Sequence, residues 1–196
     1  MDIYRKLMAD ERIVYLAKGT LVGLSAGFIV SLFRLGIEFI LETVVASYHY
    51  MQEQPICLIP WVIFSVAAAL IVGKLVKSEP NIKGSGIPQV EGQVQGIISL
   101  NWWPVLWKKF IGGLLAIGSG LFLGREGPSI QLGSAVGQGI SSLTKGDDVE
   151  EKILLSSGAG AGLAAAFNAP LAGLMFVLEE VHHNFSPLLA ITTFSS

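Results

Sequence analysis

The pattern of apolar and polar positions divides the chain into two regimes. Residues 13–47 are mainly apolar, and a second apolar run extends from about 56 to 76. Each is long enough to cross about 30 Å of hydrocarbon, the first with tilt. Ahead of them, residues 1–12 are charged and predict a short cytoplasmic or interfacial helix. After Pro80 the segments become shorter, glycine-broken and half polar: 87–100, about 104–123, 128–143, about 150–166 and 170–182. Several of these are too short to cross a bilayer simply. Broken helices at membrane depth are tolerated where they line a cavity or are buried in protein. The pattern therefore predicts two spanning helices followed by a bundle of broken ones, an all-α polytopic membrane protein.

Smaller features refine this outline. Gly19, Gly23 and Gly27 recur at four-residue spacing, which lines small residues up on one face of the first helix. Arg34 and Glu38, also four apart, are placed to form a structural pair. Trp102, Trp103 and Trp107 beside Lys108 and Lys109 read as an interfacial anchor. The charged run from Lys145 to Lys152 reads as a solvated loop. Arg5, Lys6 and Arg12 flank one side of the first span, and Lys74, Lys77 and Lys83 follow the second. The loop 48–55 between them has neither Lys nor Arg, so the N-terminus and the 74–83 loop are expected in the cytoplasm.

Composition agrees with a bilayer as solvent. The 196 residues are 52% hydrophobic and only 14% charged, with a mean hydropathy of +0.61. Soluble chains carry charges at about a quarter of their positions. The net charge of −2 implies neither nucleic acid nor an acidic surface as partner. The single cysteine, Cys57, excludes an intrachain disulfide and has no metal-ligand spacing around it. No small-residue cleavage site follows the polar start, so no removable signal peptide is read. The chain ends as another apolar segment begins, which reads as part of a longer chain.

The candidate chemistry lies at the breaks. In Gly124-Arg125-Glu126-Gly127-Pro128 a carboxylate stands beside glycines and a proline where a helix should begin. Proline suits the first helical turn, and a helix N-terminus with bare N–H groups attracts anions. Glu126 is an anion tethered at such a point, which fits a gate; it also fits a helix-capping glutamate. Gly84-Ser85-Gly86-Ile87-Pro88 echoes this arrangement. Ser85 can donate its hydroxyl to an anion, and Gly86 and Ile87 can offer main-chain N–H groups; the plain alternative for Ser85 is an N-cap. A third break, Phe167-Asn168-Ala169-Pro170, follows a small-residue run. Two or three such N-termini converging on one point would bind an anion without a full positive charge, tightly enough to admit it and weakly enough to release it. Glu179 and Glu180 end an apolar stretch at a helix C-terminus; intramembrane acids are candidates for proton relays, and the plain alternative is a surface cap feature at the water interface. His182 and His183 are adjacent, face different ways, and read as interfacial. Enzyme readings fare badly. Gly158-Ala159-Gly160-Ala161-Gly162 follows no strand, and neither a phosphate-binding Gly-Lys-Ser/Thr loop nor a serine elbow occurs.

Together, Gly84-Ser85-Gly86-Ile87-Pro88, Gly124-Arg125-Glu126-Gly127-Pro128 and the stretch from Gly162 to Gly173 resemble the N-terminal half of the CLC family of chloride channels and chloride/proton antiporters. The resemblance covers roughly residues 10–190. It implies an inverted-repeat fold of tilted and broken helices, with residues 13–196 as the first half of the membrane domain. It also implies an anion site at Gly84, Ser85, Gly86, Ile87, Gly124, Arg125, Glu126 and Gly127. The family's external gating glutamate falls on Glu126 and its internal proton glutamate on Glu180 rather than Glu179. The implied function is chloride transport in exchange for protons, in a cell or inner membrane, without cofactor or metal. The alternatives are a passive chloride channel, a fluoride exporter, which retention of Ser85 disfavours, and a non-transporting assembly fragment. Homodimerisation through about 170–196 is a further implication. The second half, with its own helix start and a tyrosine, does not appear in these residues.

Overall fold

The computed structural model describes the backbone of residues 2–181 and 187–196, and the side chains of 13–52, 54, 56–179 and 189–196. Every regular element among them is helical. Helix α1 runs Asp2–Glu53 and α2 Leu58–Ser78, joined by a tight turn at Pro55–Cys57. A second tight turn, Pro80–Ile82, leads to α3, Ile87–Val94. Then come α4, Trp102–Gly118; α5, Glu126–Leu143; α6, Asp148–Phe167; α7, Pro170–Phe176, which opens into a wide π-type turn, Val177–Val181; and α8, Pro187–Ser195.

The apolar runs fold as expected, and their exposure is the reverse of a soluble protein's. On α1 the residues Val22, Ala26, Val30, Phe33 and Ile37 follow helical spacing and are buried. The opposite face carries Leu24, Phe28, Leu35 and Phe39, each 61–73% exposed. Of α2 only Ala68 is buried, while Ile59, Ile63 and Leu70 stand outward. Both helices are long and apolar enough to cross a membrane. No break separates residues 2–12 from the span behind them; α1 continues through both, because nothing from Asp2 to Ile13 is a helix breaker.

The core is the α5–α6 pair. Every residue of α5 from Gly127 to Ser141 is buried, as is every residue of α6 from Ile153 to Leu163. Glycines make this possible. A Cβ at Gly133 would collide with the Gly158 carbonyl, one at Gly137 with the Leu154 carbonyl, and one at Gly162 with the Ser129 carbonyl. Backbone thus lies directly on backbone, the arrangement that small residues permit where two apolar surfaces gain little by hiding from lipid.

Several expectations need correction. The first helix ends its glycine stripe unevenly: Gly19 and Gly23 lie against Ser195 and Ser196, but Gly27 faces open space. The segment 87–100 is helical only to Val94, because Gly96 takes the left-handed conformation at φ 75°. The run 145–152 is not all loop. Asp147 Oδ1 accepts from Glu150 N at 2.8 Å and starts α6, whose first turn holds Asp148, Glu150 and Glu151. Acids there are favoured by the helix dipole. Glu150 also pairs with Lys18 of α1, and Glu151 accepts from Gln138 Nε2 at 3.0 Å. Finally, Lys109 is buried rather than interfacial (4% exposed). Adjacent residues on a helix point about 100° apart, so Lys108 can remain at the rim while Lys109 turns inward.

Candidate functional site

Two loops meet where α3 and α5 begin. The first is prepared by Gly84 and Gly86, at φ 73° and 97°, left-handed values that disfavour side chains with a Cβ. Pro88 sits in the first turn of α3, and Ser85 Oγ accepts weakly from Ile87 N at 3.4 Å. Ser85 thus caps its helix only loosely. The second loop ends at Arg125, and α5 starts with Glu126, two residues before Pro128. No side chain caps this helix start; Ser129 N and Oγ both donate back to Arg125 O, at 3.1 and 2.8 Å. The loops are in direct contact: a Cβ on Gly127 would stand 2.7 Å from Ser85 Cβ and 2.8 Å from Ser85 O.

This junction opens on a cavity of about 590 Å³ whose wall includes Gly84, Ser85, Ile87, Gly124, Glu126 and Gly127. Six residues expected at the anion site are therefore brought together. Glu126 is half-buried, with its carboxylate folded back so that a Cβ on Gly124 would strike Oε2. Gly86 stands behind the wall, buried against the Gln131 side chain, whose Nε2 donates to Asn81 O at 2.8 Å. Arg125 points elsewhere. Its Nη1 donates to Glu38 Oε1 at 3.0 Å, and Arg34 Nε reaches the same oxygen at 3.2 Å. The expected Arg34–Glu38 pair is present, extended by the arginine of the second loop.

The third break does not join this wall. Asn168, at φ 54°, ends α6, and Pro170 opens α7. Two helix starts converge on the cavity, then, and not three. Glu180 lies in the π-type turn Val177–Val181, and its side chain falls outside the described residues, as do His182 and His183. Its neighbour Glu179 is exposed.

Lys109 is the residue at this site that sequence reasoning missed. It lines the cavity, and its Nζ donates to Gly84 O at 2.8 Å and Ile82 O at 3.0 Å. A signal was available: Val105 and Gly112, four before and three after it on α4, are buried too, so Lys109 belongs to the inward stripe.

With this geometry in hand, comparison with known proteins gives consistent results. The family model described as voltage gated chloride channel matches residues 64–196. A relative from Vibrio parahaemolyticus, named H(+)/Cl(-) exchange transporter ClcA, is 44% identical over 177 residues, which are 87% of this chain and 37% of that protein. Among solved structures, a slow cyanobacterial Cl-/H+ antiporter superposes with a TM-score of 0.81 at 32% identity, covering 92% of this chain and 44% of that one. A eukaryotic CLC transporter gives 0.74 at 22% identity, over 96% of this chain and 38% of that one, a likeness of fold.

Proposed function

Since the chain belongs to the voltage gated chloride channel family, the CLC family, we propose that it forms the first half of a membrane chloride/proton exchanger. The chain spans 37% of the length of the Vibrio parahaemolyticus relative, so exchange is a property of the whole protein and not of these 196 residues alone. The observation that carries the reading is the junction of Ser85 and Gly127, which puts the starts of α3 and α5 and the Glu126 carboxylate on one cavity wall. Support for exchange over a passive channel comes from the Vibrio relative, named for H(+)/Cl(-) exchange, and from the cyanobacterial structure, that of a Cl-/H+ antiporter.

In this mechanism chloride sits beside the Ser85 hydroxyl and the main-chain N–H groups at the two helix starts. Binding is favoured by unpaired donors and aligned peptide dipoles, with no need for a contacting full charge. Glu126 competes for the same place as a carboxylate; on taking a proton it loses its charge and swings aside, admitting chloride. Glu180 passes the proton to the cytoplasmic side. Pairing of two copies through about 170–196 is consistent with the exposed Leu171, Met175 and Phe194.

The test is proton movement into liposomes bearing the whole protein, driven only by an outward chloride gradient, with chloride loss followed by electrode. Uphill proton uptake is expected, and Glu126→Gln should leave chloride movement that no longer carries protons. Chloride loss with no coupled protons in the unmutated protein would mean a channel. Absence of either flux would favour a non-transporting assembly part.

A further inference from the structure

The rim where α2 ends against α4 gathers side chains that the chloride reading leaves unused. Leu75 faces α4, its Cδ1 3.8 Å from where a Cβ on Gly112 would stand. At 100° per residue from Leu75, Ser78, Lys74 and Lys77 follow one another around a single flank of α2. Lys108 of α4 reaches that flank. Its Nζ donates weakly to Ser78 O at 3.5 Å and lies 5.6 Å from the centre of the Trp107 ring. Trp103, one turn before Trp107, shares its face, and both indoles are exposed. Lys83, in the loop just beyond α2, is exposed and lines the same cavity as Lys108, so it extends the positive rim. Glu79 offsets one of these charges from the turn after α2, where its Oε1 accepts from Asn81 Nδ2 at 2.8 Å.

The setting decides what such a rim meets. Helix α2 is long and apolar enough to cross a membrane, so its last turn emerges at the level of lipid headgroups. Lysines there lay their apolar stems along the helix and lift their ammonium groups to the interface, and indole rings favour the same layer. Cations clustered beside a spanning helix attract anionic lipid. In phosphatidylcholine the phosphate is already offset by choline, so the pairing favours a lipid that carries net negative charge.

We propose that the α2–α4 rim binds the phosphate headgroup of an anionic phospholipid. Lys74, Lys77 and Lys108 are its cations, and Trp103 and Trp107 are the rings that seat the glycerol and the upper acyl chain. The site stands whether or not the neighbouring cavity carries chloride.

The test places the whole protein in phosphatidylcholine vesicles and adds phosphatidylglycerol with brominated acyl chains in steps. Bromine quenches indole fluorescence on contact. Quenching beyond that given by the same fraction of brominated phosphatidylcholine therefore measures enrichment at the tryptophans. Excess quenching is expected, and it should fade as salt is raised. Lys108→Gln should weaken the preference about fivefold, and the triple variant Lys74→Gln, Lys77→Gln, Lys108→Gln should abolish it. Lys145→Gln, which removes an exposed cation beyond the end of α5, should change nothing. If the triple variant does not fold, Lys77→Gln and Lys108→Arg replace it; the first should weaken the preference about fivefold and the second should keep it. Equal quenching by the two brominated lipids overturns the proposal, as does a preference that survives the triple substitution. Displacement of the lipid by inorganic phosphate at constant ionic strength would make the rim a free-phosphate site and overturn it as well.

Discussion

The loops that lead into α3 and α5 share a pattern, glycine and a polar residue ahead of an early proline, yet they use their glycines differently. Ahead of α3, Gly84 and Gly86 are needed for their dihedral angles: both are left-handed, and Gly84 has nothing within 4 Å of where a Cβ would stand. Ahead of α5, Gly124 and Gly127 are not left-handed; they are needed for room, one beneath the Glu126 carboxylate and the other against Ser85. The fastenings differ as well. The first loop is tied from within by Lys109 and Gln131, and the second from outside by Arg125 on Glu38. The first fastening is made by buried side chains, Lys109 and Gln131, and the second by partly exposed ones. Similar sequence thus answers two separate demands, backbone shape in one loop and closeness in the other.

The contrast predicts a graded set of outcomes. Gly127→Val should do most harm, since its side chain would meet Ser85 backbone and not a flexible tip. Crowding of that kind costs about 1–3 kcal/mol, and chloride binding should be lost because the two loops can no longer touch. A binding isotherm like the unmutated protein's would show that contact to be dispensable. Gly84→Ala should be milder. The added methyl group enters open space and costs only the left-handed strain, about 1–2 kcal/mol, read as a lower melting temperature in detergent with chloride affinity retained. Were Gly84→Ala to abolish binding as Gly127→Val does, the distinction between shape and closeness would collapse. Glu38→Gln should have the smallest effect, because the pair is partly exposed (44% on the Glu38 side chain) and such pairs contribute little. Melting should hardly move and transport should fall only slightly. A large loss of transport would instead make the outer fastening as necessary as the inner one.

Much of this was legible in the sequence because it is local. Runs of apolar residues give the two long helices, and glycine–proline breaks give the starts of α3, α5 and α7. Six of the expected anion-site residues share a wall because each sits within a few residues of such a break. What stayed hidden joins residues far apart. Arg125 meets a carboxylate 87 positions earlier, and Lys109 ties down a loop 25 positions before it. No period or spacing marks such partners. Lys108 and Lys109 look like an anchor pair in the sequence because adjacency along the chain hides that they point about 100° apart on the helix. Asn168 shows the opposite limit: a break of the right kind, at the end of α6, that leads away from the cavity.

The glycine-to-carbonyl contacts between α5 and α6 set what can move. Where Gly133, Gly137, Gly158 and Gly162 put backbone on backbone, the two helices have no compressible layer of side chains along which to slide or rotate. Helix shifts of the usual allosteric kind exchange one set of interlocked side chains for another; here the glycine contacts leave none to exchange along one stripe, and Ile130 and Val136 share buried clusters with Leu155 and Leu154 beside it. In the proposed exchanger the movement asked of the head of α5 is torsional, a turn of the Glu126 side chain on a fixed mount. Side-chain turns of that sort take picoseconds to nanoseconds where they are unhindered, against microseconds or longer for collective helix motion. If the proposed gate at Glu126 is the whole barrier, the exchanger completes its cycle with little change of outline, and shape-sensitive measurements should show almost the same molecule at every stage.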